Sequence, residues 1–232
     1  QWVDQQIAWT RSHLDQMPER ARIADRFQEL FNFEKVGAPM RVGDYFFIYK
    51  NSGLEPQGKY FVRKGLNGPE DLFLDLNTLS PDGLASGSLL GADDNNRWMA
   101  VNINEAGSDW SRIEVYDIAT KTKLSDKLEW VKFSSAAWYG DGFFYNRYPA
   151  PDKGKELSGN NEYHMVYYHK MGTPQSEDEL IYRDNERPYM YNMAYVTEDK
   201  HYLVINAAPG TDGWEVRYGL DPLDNGTPSL RN

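Results

Sequence analysis

Few residues in this sequence combine the side-chain types and spacing that catalysis or metal binding requires. There are four histidines, and the closest pair, His164 and His169, stand five residues apart in a segment expected to be extended. Side chains at an odd separation along a strand point to opposite faces, so this pair is poorly placed to share a metal ion. The chain contains no cysteine, which excludes disulfides, thiolate nucleophiles and zinc–thiolate sites. We therefore predict no metal and no cofactor, and we assign the histidines to the surface or to a hydrogen-bonded core.

The short motifs of phosphate binding and serine catalysis are missing as well. Neither a Gly-x-Ser-x-Gly nucleophile elbow nor a Gly-x-Gly-x-x-Gly turn occurs, and no complete Gly-x-x-x-x-Gly-Lys-Ser/Thr loop is present. A serine cluster around Ser86 and Ser88 lacks the leading glycine and follows no convincing strand. Residues 93–96, Asp-Asp-Asn-Asn, resemble half a calcium loop, but Arg97 stands at a ligand position, which favours a solvated turn. Carboxylates are abundant, yet spacing singles out no pair of the kind that glycosidases use.

Composition narrows the function classes further. The 232 residues include 35 acidic and 25 basic side chains, a formal charge of −10, which argues against binding nucleic acid or an anionic membrane surface. Mean hydropathy is −0.73, and no apolar run approaches the ~20 residues that a spanning helix needs. Aromatic residues make up 14% of the chain, which suits a packed core rather than disorder. The sequence begins at Gln1, so we expect a trimmed N-terminus, and cytoplasmic and periplasmic or secreted locations both stay open.

The first 34 residues have the periodicity of helices. One apolar stripe recurs at three- and four-residue steps through Val3, Ile7, Thr10, Leu14 and Met17. Pro18 interrupts it, and a second helix restarts near Arg20 with a stripe of Ile23, Phe27 and Leu30. Because each stripe has only one apolar side, we expect both helices to cover another part of a protein rather than only each other.

From about Val36 the apolar period drops to two, as in strands. Runs rich in aromatic and branched residues alternate with Gly, Asn and Asp turns. The predicted strands are 45–49, 59–63, 72–76, 98–102, 113–116, 143–146, 165–168, 180–182, 202–205 and 214–218. The strands that open successive groups lie 53, 45 and 59 residues apart.

A period near 50 residues with three or four short strands is typical of β-propeller blades. The irregular spacing leaves a β-sandwich as the alternative. Residues 36–232 hold only about four such units. The chain is thus either an uncommon closed ring of four blades or a piece of a larger protein.

Long segments of the sequence resemble the N-terminal portion of the prolyl oligopeptidase family of serine peptidases. The most specific is Tyr-Tyr-His-Lys-Met-Gly-Thr-Pro-Gln-Ser-Glu-Asp at residues 167–178. The other matching runs are residues 49–54, 74–83, 107–110, 128–134, 137–138 and 142–149. The resemblance extends in order over essentially the whole chain, including the helical start.

The resemblance implies a seven-bladed propeller that caps an α/β-hydrolase domain carrying a Ser-Asp-His triad. Residues 1–34 would be the helical segment that packs on the hydrolase domain, and residues 35–232 would be about four blades of the propeller. The parent would be an endopeptidase that cleaves short peptides after proline. The triad would lie beyond Asn232, so the 232 residues alone are predicted to be inactive and to shape or gate the active site.

Three residues are implied to face the substrate. In the family, the phenylalanine of the Val-Lys-Phe-Ser run projects toward the substrate cavity, which corresponds to Phe133. The aspartate of the Gly-Ser-Asp-Trp run faces the catalytic domain, where it can pair with a substrate-orienting arginine, which corresponds to Asp109 with Trp110 beside it. Without the resemblance, Phe133 would be assigned to the core and Asp109 to a turn.

Two further functions stay open at this point. A free-standing propeller could bind a peptide or protein partner without catalysis, since propellers serve widely as scaffolds. A carbohydrate-active propeller with paired carboxylates is a weaker alternative. The one-sided helices favour the peptidase portion, because a solitary propeller does not need a segment that packs on a second domain.

Overall fold

The computed structural model of the chain describes residues 1–105, 107–211 and 213–220. Two α-helices, α1 (Trp2–Leu14) and α2 (Arg20–Phe31), precede a series of antiparallel strands. Two short 3-10 helices, Leu76–Thr78 and Gln175–Glu177, lie between strands. The strands are β1 (Lys35–Val36), β2 (Met40–Val42), β3 (Tyr45–Asn51), β4 (Lys59–Lys64), β5 (Glu70–Asp75), β6 (Ser86–Ala92), β7 (Trp98–Asn104), β8 (Ser111–Asp117), β9 (Lys123–Val131), β10 (Ala137–Tyr139), β11 (Gly142–Arg147), β12 (Met165–Lys170), β13 (Glu179–Tyr182), β14 (Tyr191–Val196), β15 (Tyr202–Ala208) and β16 (Glu215–Leu220).

The strands form four consecutive antiparallel units. Strands β1 to β5 make the first unit, β6 to β9 the second, β10 to β13 the third and β14 to β16 the fourth. The second and third units share one sheet, because Val131 of β9 pairs with Arg147 of β11. The predicted fold class, mainly β with about four propeller units after two short helices, is confirmed.

Some local predictions were wrong. The sequence pattern also predicts that segment 180–182 pairs with segment 143–146, but 180–182 lies in β13, which pairs with β12 and not with β11. The structure also contains strands in segments where the sequence predicted none, namely β1, β2, β6, β9, β10 and β14. One of them, β6, contains Ser86 and Ser88, so the serine cluster is itself part of a strand that pairs with β7.

The hydrophobic core lies between neighbouring units. Because successive side chains of a strand point to opposite faces, each sheet can be covered from two sides. In β11, Phe143 packs toward the second unit and the next residue, Phe144, packs toward the fourth. The clusters between successive units include Phe47, Phe73 and Met99, then Val115, Leu128 and Phe143, and finally Phe144, Leu203 and Ile205.

The two N-terminal helices bury none of their residues. Trp2, Ile7 and Trp9 of α1 and Phe27 and Leu30 of α2 are at least half exposed. This agrees with the expectation that the helices need another surface to cover. The division at residue 34 matches the change from helix to strand, and its assignment to two domains stays a prediction. Among the helices that the structure describes, none is long and apolar enough to cross a membrane.

The turn at residues 93–97 is built around a buried carboxylate. Asp93 is only 2% exposed, and its Oδ1 accepts hydrogen bonds from the backbone N–H groups of Arg97 (2.5 Å) and Trp98 (2.8 Å). Its Oδ2 accepts a hydrogen bond from Arg97 Nε at 2.9 Å. The prediction of a solvated turn was therefore wrong for Asp93, whose carboxylate fixes the hairpin between β6 and β7.

A buried charged network joins β9 to β12 and to the second 3-10 helix. His169 is fully buried, with Nε2 3.1 Å from Asp126 Oδ1 and Nδ1 2.7 Å from Asp178 Oδ1. Asp126 also accepts from the Gly172 backbone N–H, and Asp178 accepts from the Tyr145 hydroxyl. Burial lowers the pKa of His169, but the two carboxylates outweigh this effect and raise it to about 9. The expectation of a hydrogen-bonded core histidine is confirmed here.

The protonation of His169 predicts a loss of stability at alkaline pH. The folded-state pKa of about 9 exceeds the ordinary value of 6.5, so the stabilisation is complete below about pH 6.5 and disappears as the pH rises through 9. At 1.36 kcal/mol per pKa unit the change is about 3 kcal/mol. We expect the free energy of urea-induced unfolding to fall over this range and the His169→Gln variant to lose that slope. The exposed His201 offers a matched control, since His201→Gln should keep the slope, whereas a flat wild-type profile would contradict the assignment.

The outer face of the fourth unit is apolar and uncovered in the described part of the chain. Across strands β14, β15 and β16, the residues Met193, Asn206 and Val216 lie side by side in register. Two residues further along β14, Tyr195 lies beside Val204 and Tyr218 in the same way. The side chains of both rows therefore share one face of the sheet. Met193, Tyr195, Val216 and Tyr218 are 38–52% exposed. A sheet face of this kind is the surface on which a further unit packs in a propeller.

We expect the isolated 232-residue chain to self-associate or to be poorly soluble through this face. Light scattering across a dilution series should show a mass above that of the monomer. Tyr195→Lys combined with Val216→Lys should shift the distribution toward the monomer. Leu66→Lys, at an exposed position of the first unit, should leave the association unchanged. A wild-type chain that stays monomeric at high concentration would overturn this expectation.

Candidate functional site

The three residues implied by the resemblance converge on one lysine. Asp109 Oδ2 lies 3.6 Å from the Nζ atom of Lys132, and that Nζ lies 5.0 Å from the Trp110 ring and 5.8 Å from the Phe133 ring. Lys132 is only 8% exposed. An ammonium group placed over aromatic faces is attracted by their π electrons, and the aspartate adds an opposite charge. The structure therefore brings Asp109, Trp110 and Phe133 together around Lys132.

Two loops supply these residues. Asp109 and Trp110 follow β7 in a turn where the Ser108 hydroxyl accepts a hydrogen bond from the Trp110 backbone N–H at 3.0 Å. Lys132 and Phe133 come directly after β9. Asp109 is exposed and lies in a bend, which matches the turn assigned to it without the resemblance.

Trp110 is half-buried and held on three sides. Its Nε1–H donates to the backbone oxygen of Glu156 at 2.6 Å. Its ring meets Trp130 at 5.6 Å and Tyr148 at 6.1 Å between centroids, both edge to face. Trp110 is thus a fixed aromatic surface rather than a mobile side chain.

Trp110 and Glu156 line two cavities. The larger, about 360 Å³, is lined also by Trp130 and by an ion pair between Arg112 and Glu105. The smaller, about 260 Å³, has a different lining, which includes Tyr148, Pro149, Pro151, Asn160 and Tyr163. Aromatic and proline side chains beside a few polar groups are what peptide-binding surfaces present.

Phe133 is not a core residue. Its side chain is 50% exposed, and its ring meets Tyr191 of β14 edge to face at 5.5 Å. Its backbone has a φ of 52°, and Trp130 has a φ of 59°, a left-handed conformation that non-glycine residues rarely adopt. The alternative that Phe133 sits in a strand and fills the core was wrong, because β9 ends at Val131 and the side chain is half exposed.

A buried polar network supports the segment that carries Phe133. His164 is fully buried, and its Nε2 lies 2.8 Å from the backbone oxygen of Lys132. Its Nδ1 accepts from the Asn192 backbone N–H at 3.0 Å, while the Asn192 amide donates to the His164 backbone oxygen at 2.7 Å. Asn146, also buried, donates to the backbone oxygens of Asn192 and Met165. The network connects the loop after β9 to β11, β12 and β14.

The protonation state of His164 follows from its partners. A backbone N–H can only donate, so Nδ1 accepts, and Nε2 must carry the proton that it donates to Lys132. Burial lowers the pKa of His164 to about 4, although the hydrogen bond to Lys132 opposes the effect. The ring is therefore neutral and held in one tautomer at neutral pH.

Sequence reasoning missed the residues that surround the predicted ones. Lys132 and Tyr148 lie inside runs 128–134 and 142–149 that carry the family resemblance, so their positions were available. His164 was assigned to a satisfied core or to the surface, and the core assignment is confirmed. Nothing in the sequence pointed to Tyr191, which reaches Phe133 from the fourth unit.

The chemistry of this cluster is that of binding. It offers aromatic rings, one buried ammonium and an exposed carboxylate. Within residues 1–105, 107–211 and 213–220, no group of three or more His, Asp or Glu side chains is arranged to hold a metal ion. His169 and its two carboxylates do not form such a group, because the aspartates bind opposite nitrogens of the ring.

Comparison with known proteins covers nearly the whole chain. The family model described as "Prolyl oligopeptidase, N-terminal beta-propeller domain" matches residues 1–228. A prolyl endopeptidase of Elizabethkingia miricola is 42% identical over 216 residues, which are 93% of this chain and 30% of that protein. Prolyl oligopeptidase A of Galerina marginata is 36% identical over 233 residues, covering 88% of this chain and 31% of that protein.

Solved structures show the same likeness. A structure from a study of two prolyl endopeptidases matches with a TM-score of 0.72 and 34% identity over 94% of this chain and 31% of its own. Prolyl oligopeptidase B of Galerina marginata, bound to a 35mer hydrolysis and macrocyclization substrate, matches with a TM-score of 0.84 and 26% identity over 97% of this chain and 34% of its own. The chain spans about three tenths of the length of the curated relatives it matches.

Proposed function

This chain belongs to the prolyl oligopeptidase family, and we propose that it forms the N-terminal propeller portion of a serine endopeptidase that cleaves short peptides after proline. The catalytic triad belongs to an α/β-hydrolase domain of the same parent chain. Residues 1–34 pack on that domain, and the propeller gates and shapes the site that peptides enter. The 232 residues alone have no peptidase activity.

The observation that carries the proposal is the convergence of Asp109, Trp110 and Phe133 on Lys132. Phe133 and Asp109 are exposed although their neighbours are fixed, which is the arrangement expected of side chains that meet a ligand. Aromatic surfaces bind proline-containing peptides well, because the peptide is already extended and the ring faces are flat. Phe133 and Trp110 supply such surfaces.

The uncovered apolar stripes of α1 and α2 support a second domain as partner. Each helix exposes apolar side chains of its stripe, among them Val3, Ile7 and Phe27. Burying such a stripe is the usual way in which a short helix is stabilised. A free-standing binding propeller would leave both stripes in water, so this feature favours the peptidase portion.

The relatives support a peptide as the ligand. Prolyl oligopeptidase B of Galerina marginata, whose structure resembles this chain, is described with a 35mer substrate bound. We propose that the ligands of this protein are likewise peptides, and that they are short and contain proline.

Phe133→Ala in the intact peptidase should lower kcat/KM toward a proline-containing chromogenic peptide. Losing the contact of one phenylalanine costs roughly 1–3 kcal/mol, which corresponds to about 10–100-fold at 1.36 kcal/mol per decade. The melting temperature should stay near that of the parent because Phe133 is half exposed.

The matched control is Leu66→Ala, at an exposed position of the first unit, which should change neither activity nor melting. A Phe133→Ala protein that melts early but cleaves normally would show that the residue is structural. Cleavage of a chromogenic glycoside without cleavage of the peptide would overturn the peptidase assignment itself.

Asp109→Asn in the intact peptidase keeps the shape of the side chain and removes its charge. We propose that this charge helps to hold an arginine of the hydrolase domain that orients the substrate. The variant should lose on the order of tenfold in kcat/KM, equivalent to ~1.4 kcal/mol, and should change the pH dependence of cleavage.

Thermal melts separate this role from a structural one. The pair between Asp109 and Lys132 is largely exposed on the aspartate side and contributes little to stability. The Asp109→Asn protein should therefore melt like the parent. Unchanged kcat/KM with a lowered melting temperature would contradict the proposed role.

A further inference from the structure

The segment that presents Phe133 is strained at two positions. Trp130 and Phe133 both have positive φ angles, although neither is glycine. Such conformations persist only where surrounding contacts determine them. Within this segment, the peptide group between Lys132 and Phe133 must be held from outside, since β9 has already ended at Val131.

His164 provides the contact at that peptide group. Its Nε2–H donates to the carbonyl oxygen of Lys132, directly before Phe133, at 2.8 Å. The other ring nitrogen accepts from the Asn192 backbone N–H in β14 at 3.0 Å. A single neutral imidazole thus ties the strained loop of the second unit to a strand of the fourth.

The same imidazole acts on Phe133 through aromatic contacts. The His164 ring lies 6.1 Å from the Tyr191 ring, and Tyr191 meets the Phe133 ring edge to face at 5.5 Å. The His164 ring also contacts the Tyr148 ring in a tilted arrangement, with 4.8 Å between centroids. Both ring neighbours, Tyr148 and Tyr191, carry titratable hydroxyl groups. His164 therefore contacts both the backbone before Phe133 and the aromatic neighbour of its ring, and it is itself fully buried.

We propose that His164 is a positioning residue for peptide binding, because its two hydrogen bonds hold the Lys132–Phe133 peptide group in the orientation that presents the Phe133 ring to the substrate. The inference rests on the proposed role of Phe133. It adds that this role depends on a buried donor–acceptor bridge between two units of the propeller. A different side chain that donates a hydrogen bond to the Lys132 oxygen and accepts one from the Asn192 N–H should therefore preserve the function of the imidazole.

The test is a double-mutant cycle between His164 and Phe133 in the intact peptidase, read as kcat and KM on a proline-containing chromogenic peptide. His164→Leu removes both hydrogen bonds and should lower kcat/KM by about tenfold, equivalent to ~1.4 kcal/mol. The loss should fall mainly on KM, since the contact proposed for Phe133 is a binding contact made in the ground state as well as in the transition state. In the Phe133→Ala background, His164→Leu should cause no further loss.

The conservative variant provides the rescue. The amide of Gln can donate to Lys132 and accept from the Asn192 N–H, so His164→Gln should retain kcat/KM within about twofold of the parent. His201→Leu, at an exposed histidine, is the matched control and should have no effect. If His164→Leu does not yield folded protein, the cycle is run with His164→Asn, whose shorter side chain reaches the Asn192 N–H but not the Lys132 oxygen.

The outcomes separate this inference from the proposed function. If Phe133→Ala alone leaves kcat/KM unchanged, the substrate role of Phe133 fails. If Phe133→Ala lowers kcat/KM but the His164 and Phe133 losses add, only the positioning role fails. Nitrogen-15 NMR of histidine-labelled protein at pH 7 should show His164 protonated at Nε2 alone, and a doubly protonated ring or a proton on Nδ1 would also overturn the proposal.

Discussion

The structure depends on one constraint, which is that each β unit buries its apolar side chains only against its neighbours. A twisted sheet of three or four short strands has two apolar faces and cannot form a core alone. The three buried clusters therefore lie between successive units, and Phe143 and Phe144 show the consequence within a single strand, since they face different neighbours. The same constraint explains the apolar surfaces that stay exposed, which are the face around Tyr195 and the stripes of α1 and α2. Among the described residues, no further unit lies against these surfaces.

Buried polar side chains also make hydrogen bonds between units. Two buried histidines show how the hydrogen-bond partners of an imidazole decide its charge. His169 lies between two carboxylates, which stabilise the imidazolium. His164 lies between a carbonyl oxygen and a backbone N–H, which together require one neutral tautomer. Both rings are fully buried, so the difference comes from what they bind and not from their exposure to water.

The candidate site is a product of three units. Asp109, Trp110, Lys132 and Phe133 come from loops of the second unit, while the third unit supplies supporting residues and the fourth contributes Tyr191. Such an arrangement places exposed side chains on a rigid frame, because Trp130 and Tyr191 lie in strands and Tyr148 packs against the buried His164 ring. Binding of a ligand at Phe133 would therefore depend on the packing between units as well as on the residues in direct contact with the ligand.

The sequence pattern alone was sufficient to predict the elements in which apolar and polar positions alternate strongly. Strands β3 and β11 are dense in aromatic residues, and the helical stripes begin and end near prolines or turn residues, so periodicity alone located them. Strand β6 was not predicted, because its glycine and other small residues have little strand propensity. Its extended conformation is stabilised by pairing with β7. The family resemblance supplied Asp109, Trp110 and Phe133, which composition and spacing would have assigned to a turn or to the core.

The sequence by itself thus determined the two helices, the repeating β units, the excluded chemistries and the residues that carry the resemblance, because each of these depends on neighbours along the chain. Only the tertiary structure decided that Lys132 lies at the centre of the site, that Asp93 is buried, and that one core histidine is protonated while the other is neutral. The states of the two histidines depend in part on distant residues, Asp126 at 43 positions from His169 and Asn192 at 28 positions from His164. Their distances and hydrogen-bond directions are set when the units pack together, and no local spacing encodes them.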